Sequence, residues 1–462
     1  MTRSAHFVGV AGAGMRALAE LYARRGIEVT GCDTHADSAS ELKEFGITIL
    51  EGHSPHHVEG VDEVVVTSAM PKEHPELARA RELGIKVTRR AEALGKATSG
   101  GKVVAIAGTH GKTTTTVLTT SALSSAGLQP TGVAGGRVES WGGNLSYQSD
   151  SLFVVEADEY DRSFLALHPH VAVVTNVEAD HLDIYKDLAD IEETFARFTR
   201  PAEFIVLCAD DPGANRIPGL ATSEVIRYGV SSPDARLRAT EIRLAPSGAG
   251  ALAAAFSVFY DDKPLGDVQL AVPGMHNVLN SLAAIASGLA LGVTLEAMRP
   301  GLAAFTGVAR RFERVGDVAG ITIIDDYAHH PTEITATLEA ARNSFPGRRI
   351  VAAFQPHLFS RTRDFARDFA SSLSAADAVF LADIYPARET PIAGVTSALI
   401  ANHLRESGRS PEWTGPRAHL AGALRDSLRP GDVLLTIGAG DITLTAGELR
   451  DRLNRDAGPE PG

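Results

Sequence analysis

A phosphate-binding motif follows directly after a short apolar run. The run is Val103–Ala107, and the motif after it reads Gly108-Thr109-His110-Gly111-Lys112-Thr113-Thr114. In such loops backbone N–H groups surround phosphate oxygens, the lysine reaches the β- and γ-phosphates, and the next hydroxyl can bind Mg²⁺. The strict motif has glycine at position 106, where this chain has Ile106. The segment therefore predicts a variant P-loop that binds ATP.

Two acidic segments follow further apolar runs. Residues 156–161 (EADEYD) follow Leu152–Val155, and residues 176–183 (NVEADHLD) follow Val171–Thr175. Mg²⁺ prefers oxygen ligands, and a second metal ion can also accept an imidazole. A charge run is ordinarily a solvated loop, but two of them at strand ends in the domain of a P-loop predict a metal site.

A glycine-rich turn near the N-terminus suggests a second nucleotide site. The segment Gly12–Ala17 fits the pattern G-x-G-x-x-A, and Asp33 follows about 20 residues after Gly12, the fingerprint spacing. In that arrangement a pyrophosphate meets a helix N-terminus and the acid meets a ribose. The pattern does not specify the nucleotide, and the alternative is a turn that needs glycine for packing alone.

Four polar segments follow predicted strands in the C-terminal third. They are residues 325–331, 355–361, 383–389 and 438–441. Ligands bind beyond the carboxyl ends of parallel strands, so these segments predict one binding edge. Arg310 and Arg311 precede them, and a guanidinium there could contact a transferring phosphoryl group. The alternative for this pair is an exposed basic linker.

The elements that must position these residues alternate between strands and helices. Short β-branched runs, each followed by a helical pattern, predict parallel α/β sheets. The runs are 6–10, 103–107, 152–155, 171–174, 204–207, 321–324, 350–354, 379–382 and 433–437. Breaks at 97–101 and 306–311 predict domains at 1–99, 100–309 and 310–462, with a disordered tail at 456–462. Residues 235–272 alternate apolar and polar positions and predict antiparallel or irregular β-structure.

Composition excludes several classes of protein. The net charge of −13 argues against nucleic-acid binding through a basic surface. Two cysteines, Cys32 and Cys208, exclude a disulfide scaffold and a cysteine-rich zinc site. No apolar stretch reaches the ~20 residues of a membrane span, and residues 1–9 lack a signal-peptide pattern. We therefore expect a cytoplasmic protein.

Taken together, these segments resemble the Mur ligase family over essentially the whole chain. The matching segments are 9–15, 108–114, 156–164, 176–183, 276–280, 310–313, 325–331, 354–357 and 383–389. The resemblance implies an α/β fold of three domains. A Rossmann-like N-terminal domain would bind a UDP-sugar, a central P-loop ATPase-type domain with a parallel sheet would bind ATP, and a Rossmann-like C-terminal domain would close over both.

The resemblance also implies roles for individual residues. The catalytic residues would be Lys112, Glu156, His181 and Arg311. The ATP-binding residues would be Gly108, Thr109, His110, Gly111, Lys112, Thr113, Thr114, His276, Asn277, Asn280, Asp325 and Asp326. One Mg²⁺ would bind Thr113 and Glu156, and a second would bind Glu156 and His181. The UDP-sugar would contact Gly9, Gly12, Gly14, Met15 and Asp33. The amino acid would contact His330, His357 and Arg361.

Two positions depart from the pattern of the family. Many relatives carry a carbamylated lysine downstream of the metal-binding histidine, but here Lys186 is too close to His181 and the next lysine is Lys263. This fits an alanine-adding branch and leaves one ligand of the second metal unassigned. Many alanine-adding relatives have arginine after the QPH segment, where this chain has Leu358. Recognition of the amino-acid carboxylate would then depend more on Arg361.

The implied activity is ATP-dependent ligation of L-alanine to the carboxylate of UDP-N-acetylmuramate through an acyl phosphate. It would serve peptidoglycan precursor synthesis, and hence cell-wall biogenesis, cell shape and cell division. Its partners would be these small molecules, with the chain a monomer or homodimer. A ligase that recycles a tripeptide onto the same UDP-sugar is the nearest alternative. An NAD-dependent oxidoreductase would leave the P-loop without a role, and an ATP-driven switch would hydrolyse ATP without the UDP-sugar.

Overall fold

The computed structural model describes residues 2–67, 70–182, 184–217, 219, 224–247, 251–387 and 389–457. Within this part of the chain the strands form three sheets, in agreement with the predicted three-domain α/β fold. Residues 456 and 457 end the last helix, and the rest of the predicted tail lies outside the described residues. No helix among the described residues is long and apolar enough to cross a membrane.

The N-terminal sheet has a Rossmann strand order. Its strands are β1 (Ser4–Val8), β2 (Glu28–Asp33), β3 (Thr48–Glu51), β4 (Glu63–Val66) and β5 (Lys86–Arg89). They run in parallel in the order β3-β2-β1-β4-β5. The helices are α1 (Ala13–Arg24), α2 (Pro75–Glu82) and α3 (Arg90–Thr98), with 3-10 turns at Ala36–Phe45 and Pro55–Val58.

The first strand ends two residues earlier than the predicted run. Gly9 has a φ of +80°, and the N–H groups of Gly9 and Val10 both donate to the carbonyl of Cys32. The chain therefore turns out of the sheet at Gly9. The next helix, α1, buries Leu18 and Leu21 and ends before Gly26.

In the second sheet, the strand that leads into the P-loop lies between the two strands that lead into the acidic segments. Its strands are β6 (Lys102–Ala107), β7 (Thr131–Val138), β8 (Gly143–Ser146), β9 (Leu152–Glu156), β10 (Val171–Val174), β11 (Phe204–Cys208), β12 (Glu224–Gly229), β13 (Leu237–Ser247), β14 (Ala251–Tyr260) and β15 (Lys263–Leu270). The order is β15-β14-β13-β12-β11-β10-β6-β9-β7-β8. Because β6 pairs in parallel with both β9 and β10, the P-loop and both acidic segments start at one edge of the sheet.

Five helices accompany the described strands of this sheet in the chain. They are α4 (Lys112–Ser125), α5 (Leu188–Thr199), α6 (Pro212–Asn215), α7 (Met275–Ala290) and α8 (Leu295–Ala303), with 3-10 turns at Glu139–Trp141 and Tyr160–Ala166. Val117, Leu118 and Ala122 of α4 are buried. The segment 235–272, predicted as β-structure, supplies β13, β14 and β15 at one side of the sheet.

The third sheet is parallel except for its first strand. Its strands are β16 (Glu313–Val318), β17 (Ile321–Asp326), β18 (Ile350–Phe354), β19 (Ala378–Ala382), β20 (Trp413–Gly415) and β21 (Val433–Ile437), in the order β16-β17-β21-β18-β19-β20. Its helices are α9 (Pro331–Ser344), α10 (Phe359–Leu373), α11 (Ala398–Glu406), α12 (Arg417–Ser427) and α13 (Thr443–Ala457). The four polar segments predicted to share one edge follow β17, β18, β19 and β21, which are adjacent parallel strands.

The chain forms two compact units. The first comprises residues 1–242, 256–269 and 279–305, and the second comprises residues 243–255, 270–278 and 306–462. In the first unit one hydrophobic cluster contains both Leu18 of α1 and Phe153 of β9, so the first two domains share a core. The third sheet lies wholly in the second unit, where clusters pack on its two faces.

Candidate active site

The P-loop depends on two glycines that no larger residue can replace without strain. Gly108 has a φ of +139°, and a Cβ there would lie 2.0 Å from the Thr175 hydroxyl oxygen. Gly111 has a φ of +81°, and a Cβ there would lie 2.6 Å from Oδ1 of Asn280. This backbone lies close to its neighbours and leads directly into the N-terminus of α4, a favourable place for an anion.

The segment after β10 fixes the loop by hydrogen bonds. The backbone N–H of His110 donates to Oδ1 of Asn176 at 2.7 Å, and that of Thr109 donates to the Asn176 carbonyl at 3.1 Å. The Thr175 hydroxyl donates to the His110 carbonyl at 2.6 Å. Asn176 thus fixes the backbone of the P-loop. We did not predict this role, although Asn176 begins the acidic segment at residues 176–183.

A methyl group at Gly108 should therefore destabilise the protein. We expect Gly108→Ala to lower the free energy of unfolding by about 2–4 kcal/mol, because backbone strain adds to the overlap with Thr175. Gly127→Ala is the matched control, since Gly127 has a φ of +83° but no atom within 4 Å of the added Cβ. Urea unfolding of both variants measures the difference. Equal stabilities would contradict the proposed close approach.

Lys112 is bound within the loop and paired with an acidic residue. Its Nζ donates to the Gly108 carbonyl at 2.6 Å and to Oε1 of Glu159 at 3.0 Å. Burial opposes the charge of Lys112, but the carboxylates of Glu159, Asp158 and Glu156 outweigh it and raise the pKa of the lysine. Burial is also the largest influence on Glu159 and raises the pKa of that carboxyl. Lys112 therefore remains a cation, and Glu159 is its anionic partner.

Glu156 and Thr113 lie beside neighbouring glycines of β7, Gly135 and Gly136. Oε2 of Glu156 accepts the backbone N–H of Gly135 at 2.6 Å. A Cβ at Gly136 would lie 3.5 Å from the methyl carbon of Thr113. The next residue of α4, Thr114, is buried. A carboxylate and a hydroxyl on adjacent strand and helix ends are oxygen donors of the kind that Mg²⁺ accepts.

His181 faces Glu159 in the structure. Its Nε2 lies 3.8 Å from Oε1 of Glu159 and 3.8 Å from Oδ2 of Asp180. Its ring meets that of Tyr160 edge to face at 5.1 Å, and its backbone has a φ of +53°. Lys112, Glu159 and His181 thus form a continuous polar row. Glu159 is the member that the sequence did not single out, although it lies in the acidic run.

The glycine-rich turn of the N-terminal domain is held by Asp33. Oδ2 of Asp33 accepts the backbone N–H of Ala11 at 3.0 Å, and Gly12 caps α1. Gly14 adjoins Arg90, because a Cβ there would lie 2.8 Å from Nη1 of that arginine. The side chain of Met15 belongs to the core and is 1% exposed. Asp33, Gly12 and Gly14 thus stand together at the turn, while Met15 supports it from inside.

The two aspartates that end β17 accept hydrogen bonds from residues of their own domain. Asp325 accepts the hydroxyls of Thr436 and Thr443 at 2.5 and 2.8 Å and pairs with Nε of Arg310 at 3.3 Å. Asp326 accepts the backbone N–H groups of Phe312 at 2.7 Å and Ala328 at 2.8 Å. Both carboxylates therefore help to hold the turn that presents Arg311.

Arg311 lies on an aromatic ring at the start of the third domain. Its guanidinium carbon is 5.0 Å from the centre of the Tyr327 ring, and its Nη1 is 3.6 Å from Oε1 of Glu333. Burial lowers the pKa of His276 to about 4, and the charge of Arg311 adds to this effect.

The two asparagines predicted to bind ATP have partners within the protein. Asn277 follows His276, and its amide donates to the Pro273 carbonyl at 2.7 Å. Asn280, in the first unit, accepts the Thr115 hydroxyl at 3.2 Å.

Asp326 should make stability depend on pH. Burial raises its pKa to about 6 from 3.8, and the Arg311 charge opposes this only in part. The folded protein therefore binds more protons between these pH values, so its free energy of unfolding falls as pH rises from about 4 to about 6. Relative to Asp326→Asn, we expect the wild type to lose on the order of 3 kcal/mol over this window. Urea unfolding at pH 4 and pH 7 tests this, and parallel profiles would contradict it.

The residues predicted to bind an amino acid follow β17 and β18. His330 caps α9, is 4% exposed and meets the Phe365 ring edge to face at 5.1 Å. The ring of His357 stacks on that of Tyr385 at 5.8 Å. Arg361, in the first turn of α10, is buried. Leu358 has a φ of +72°, so it turns the chain from β18 into α10.

The fold and the P-loop site define the class of P-loop nucleotide-binding α/β proteins. Three models of one family match the chain: "Mur ligase family, catalytic domain" at residues 4–102, "Mur ligase middle domain" at 106–288, and "Mur ligase, glutamate ligase domain" at 310–440. The chain is 43% identical to UDP-N-acetylmuramate–L-alanine ligase of Salinibacter ruber, over 99% of this chain and 96% of that protein. The chain belongs to the Mur ligase family.

Two solved structures extend the comparison. A UDP-N-acetylmuramate–alanine ligase from Thermotoga maritima superposes with a TM-score of 0.82 at 28% identity, covering 98% of this chain and 99% of that one. A murein peptide ligase from Psychrobacter arcticus superposes with a TM-score of 0.70 at 26% identity, covering 98% of each chain. Both share the fold, and the first is the more similar of the two.

Proposed function

We propose that the protein joins L-alanine to the carboxylate of UDP-N-acetylmuramate at the expense of ATP, as a step of peptidoglycan precursor synthesis. The observation that carries the proposal is the full-length similarity to a ligase of that name, at 43% identity. A P-loop with a buried, cationic lysine agrees with the ATP requirement. ATP and a UDP-sugar are cytoplasmic metabolites, so we propose that the reaction takes place in the cytoplasm.

The chemistry requires ATP because a carboxylate is a poor electrophile. Its oxygen attacks the γ-phosphorus of ATP, ADP leaves, and the muramoyl carboxylate becomes an acyl phosphate. The amine of L-alanine then attacks the acyl carbon and phosphate leaves, which forms the amide. We assign to Lys112 and Arg311 the stabilisation of negative charge on the γ-phosphate oxygens during the first step.

Glu159 acquires a role in this scheme. It accepts a hydrogen bond from Nζ of Lys112 at 3.0 Å, and its negative charge balances that of the lysine. When the γ-phosphate takes Lys112 as its partner, the Glu159 carboxyl loses that stabilisation. Burial raises the pKa of Glu159, so this carboxyl depends on Lys112 for its stability as an anion.

The donors around the P-loop suit magnesium. We propose that Thr113 and Glu156 hold one Mg²⁺ and that Glu156 and His181 hold a second, since these residues stand in the P-loop helix and in the segments that follow the two strands beside β6. When bound, Mg²⁺ neutralises charge on the phosphate oxygens and thereby favours phosphoryl transfer. Asn176 fixes the backbone of the loop through the hydrogen bonds that it accepts from His110 and Thr109.

The remaining substrate contacts are proposed from the predicted positions. We assign the UDP-sugar to the turn of Gly9, Gly12 and Gly14 with Asp33, within a domain of residues 1–99. We assign adenosine contacts to His276, Asn277, Asn280 and the pair Asp325 and Asp326, with the central domain at 100–309. We assign L-alanine to His330, His357 and Arg361, in a domain of residues 310–462.

Phosphate release tests the proposal. Protein, ATP and Mg²⁺ are combined with UDP-N-acetylmuramate and, in parallel, with L-alanine, glycine, L-serine, a tripeptide or no acceptor. We expect release that requires both the UDP-sugar and L-alanine. Release that is indifferent to the sugar would reject the ligase and leave an ATPase.

A recycling ligase that attaches a tripeptide is the second candidate. The similarity to the murein peptide ligase of Psychrobacter arcticus favours it, at a TM-score of 0.70. In the same assay this candidate predicts release with the tripeptide and none with L-alanine. That result would keep the acyl-phosphate mechanism and change the acceptor.

A further inference from the structure

A group of metal-ligating side chains lies in the N-terminal domain and has no part in the proposed reaction. It consists of His6, Cys32, His53, His57, His74 and Glu76, which we call the histidine cluster. Its members come from β1, β2, the turn at Pro55–Val58, the first turn of α2, and the residues just before the turn and the helix. It is therefore held by several regular elements rather than by one loop.

Four members bring their ligand atoms together. One ligand atom from each of His6, Cys32, His57 and Glu76 lies within 4.8 Å of the others. Sγ of Cys32 is 3.3 Å from Nε2 of His6 and 3.1 Å from Oε1 of Glu76, and that oxygen is 2.8 Å from Nδ1 of His57. Tetrahedral Zn²⁺ sites separate their ligand atoms by roughly 3.2–3.6 Å. Small side-chain rotations would thus complete a site.

The surroundings of these four residues orient them as in a metal centre. Nδ1 of His6 bonds to the Thr30 hydroxyl at 2.7 Å, which directs Nε2 towards Cys32. The backbone N–H of Ser54 donates to Oε1 of Glu76 at 3.0 Å and fixes that carboxylate. Partners of this kind, on the far side of each ligand, are typical of metal sites and tune their affinity.

Burial and charge also favour a cation. His6, Cys32 and Glu76 are buried, whereas the His57 side chain is 17% exposed and leaves a path from solvent. Nδ1 of His53 and Nδ1 of His74 lie 3.4 and 3.7 Å from Oε2 of Glu76, so imidazoles surround the carboxylate on several sides. A buried carboxylate that faces imidazoles and a thiol presents ligand atoms of the kinds that one divalent transition-metal ion binds.

We propose that His6, Cys32, His57 and Glu76 bind one divalent transition-metal ion of the Zn²⁺ type. The ion replaces the thiol proton of Cys32, which passes to the solvent, while the imidazoles bind in their neutral form. A thiolate with two imidazoles selects such a metal over Mg²⁺, so this centre differs in chemistry from the oxygen donors near the P-loop. It ties β1 and β2 to α2, and β2 ends at Asp33, which holds the glycine-rich turn.

Cobalt is the probe that separates this centre from every oxygen-rich site. The full-length protein is treated with a chelator and titrated with Co²⁺ alone, and absorption is recorded. We expect one equivalent to produce a thiolate-to-cobalt charge-transfer band, which Zn²⁺ then removes. Cys32→Ser should abolish the band. Cys208→Ser is the matched control, because Cys208 is the only other cysteine and lies on β11.

Two further variants decide the matter if Cys32→Ser does not fold. His57→Gln alters a partly exposed ligand, and Thr30→Val removes the bond that orients His6. We expect each to weaken Co²⁺ binding by at least about tenfold. The proposal would be overturned if the wild-type protein gave no charge-transfer band, or if the band survived Cys32→Ser. It would also be overturned if the affinity for Co²⁺ were unchanged in both His57→Gln and Thr30→Val.

Discussion

Lys112→Met is expected to lower kcat by about 10³-fold, because a preorganised cation facing the transferring phosphoryl group is lost. The Gly108 and Thr109 carbonyls, which accept hydrogen bonds from the lysine, cannot replace its positive charge. Steady-state phosphate release with saturating ATP, UDP-N-acetylmuramate and L-alanine measures the effect. Lys102→Met is the matched control, since Lys102 is an exposed lysine on the same strand that leads into the P-loop.

The same substitution should also affect stability, and a double variant separates the two effects. Without Lys112 the buried Glu159 loses its cationic partner, which costs up to about 3–5 kcal/mol when a buried pair is broken. Lys112→Met/Glu159→Gln removes that carboxylate. We expect it to recover most of the lost stability but none of the activity. Recovery of activity in the double variant would show that Lys112 acts through folding alone.

Arg311→Ala is the second large effect that we expect, a decrease in kcat of at least about 10³-fold. The side chain is 31% exposed and its pairing with Glu333 is long, at 3.6 Å, so the loss of this pair should cost less than about 1 kcal/mol of stability. Catalysis and folding should therefore separate at this position. Turnover and thermal unfolding of the purified variant are the two measurements.

The adjacent arginine provides the contrast. Arg310 donates to the Gly438 carbonyl at 2.7 Å and pairs with the buried Asp325, so Arg310→Ala should reduce stability more than Arg311→Ala. A kcat for Arg311→Ala within a few-fold of the wild type would contradict its assignment to the phosphoryl group. So would a loss of stability equal to that of Arg310→Ala.

Local patterns were sufficient to predict most of the fold. The β-branched run at 171–174 coincides with β10, and the runs at 350–354 and 433–437 coincide with β18 and β21. These strands are buried on both faces, so their apolar character marks them without ambiguity. The order of strands around β6 was not predicted, and it places the P-loop beside both acidic segments.

Side-chain partners were harder to predict than strands. Glu159 and Glu156 stand in one acidic run, and only the direction of the chain after β9 decides that Glu159 reaches Lys112 while Glu156 reaches Gly135. Asp325 and Asp326 carry the chemistry of a ligand site, yet both accept hydrogen bonds from their own domain. Sequence spacing does not reveal which acceptor a carboxylate will use.

The histidine cluster shows the same limit at longer range. His6 and Glu76 are far apart in the chain, and Cys32 and His57 come from separate elements between them. The spacing of these residues fits no zinc motif, since a single cysteine is involved. Only the folding of β1, β2 and α2 against one another brings the ligand atoms within 4.8 Å.

Oxygen transfer tests the central claim, ligation through an acyl phosphate, most directly. UDP-N-acetylmuramate labelled with ¹⁸O in both carboxylate oxygens is converted in the presence of ATP, Mg²⁺ and L-alanine, and the released phosphate is analysed by mass spectrometry. Our account predicts one ¹⁸O in each phosphate and one retained in the new amide. Phosphate that carries no ¹⁸O while the amide forms would contradict it.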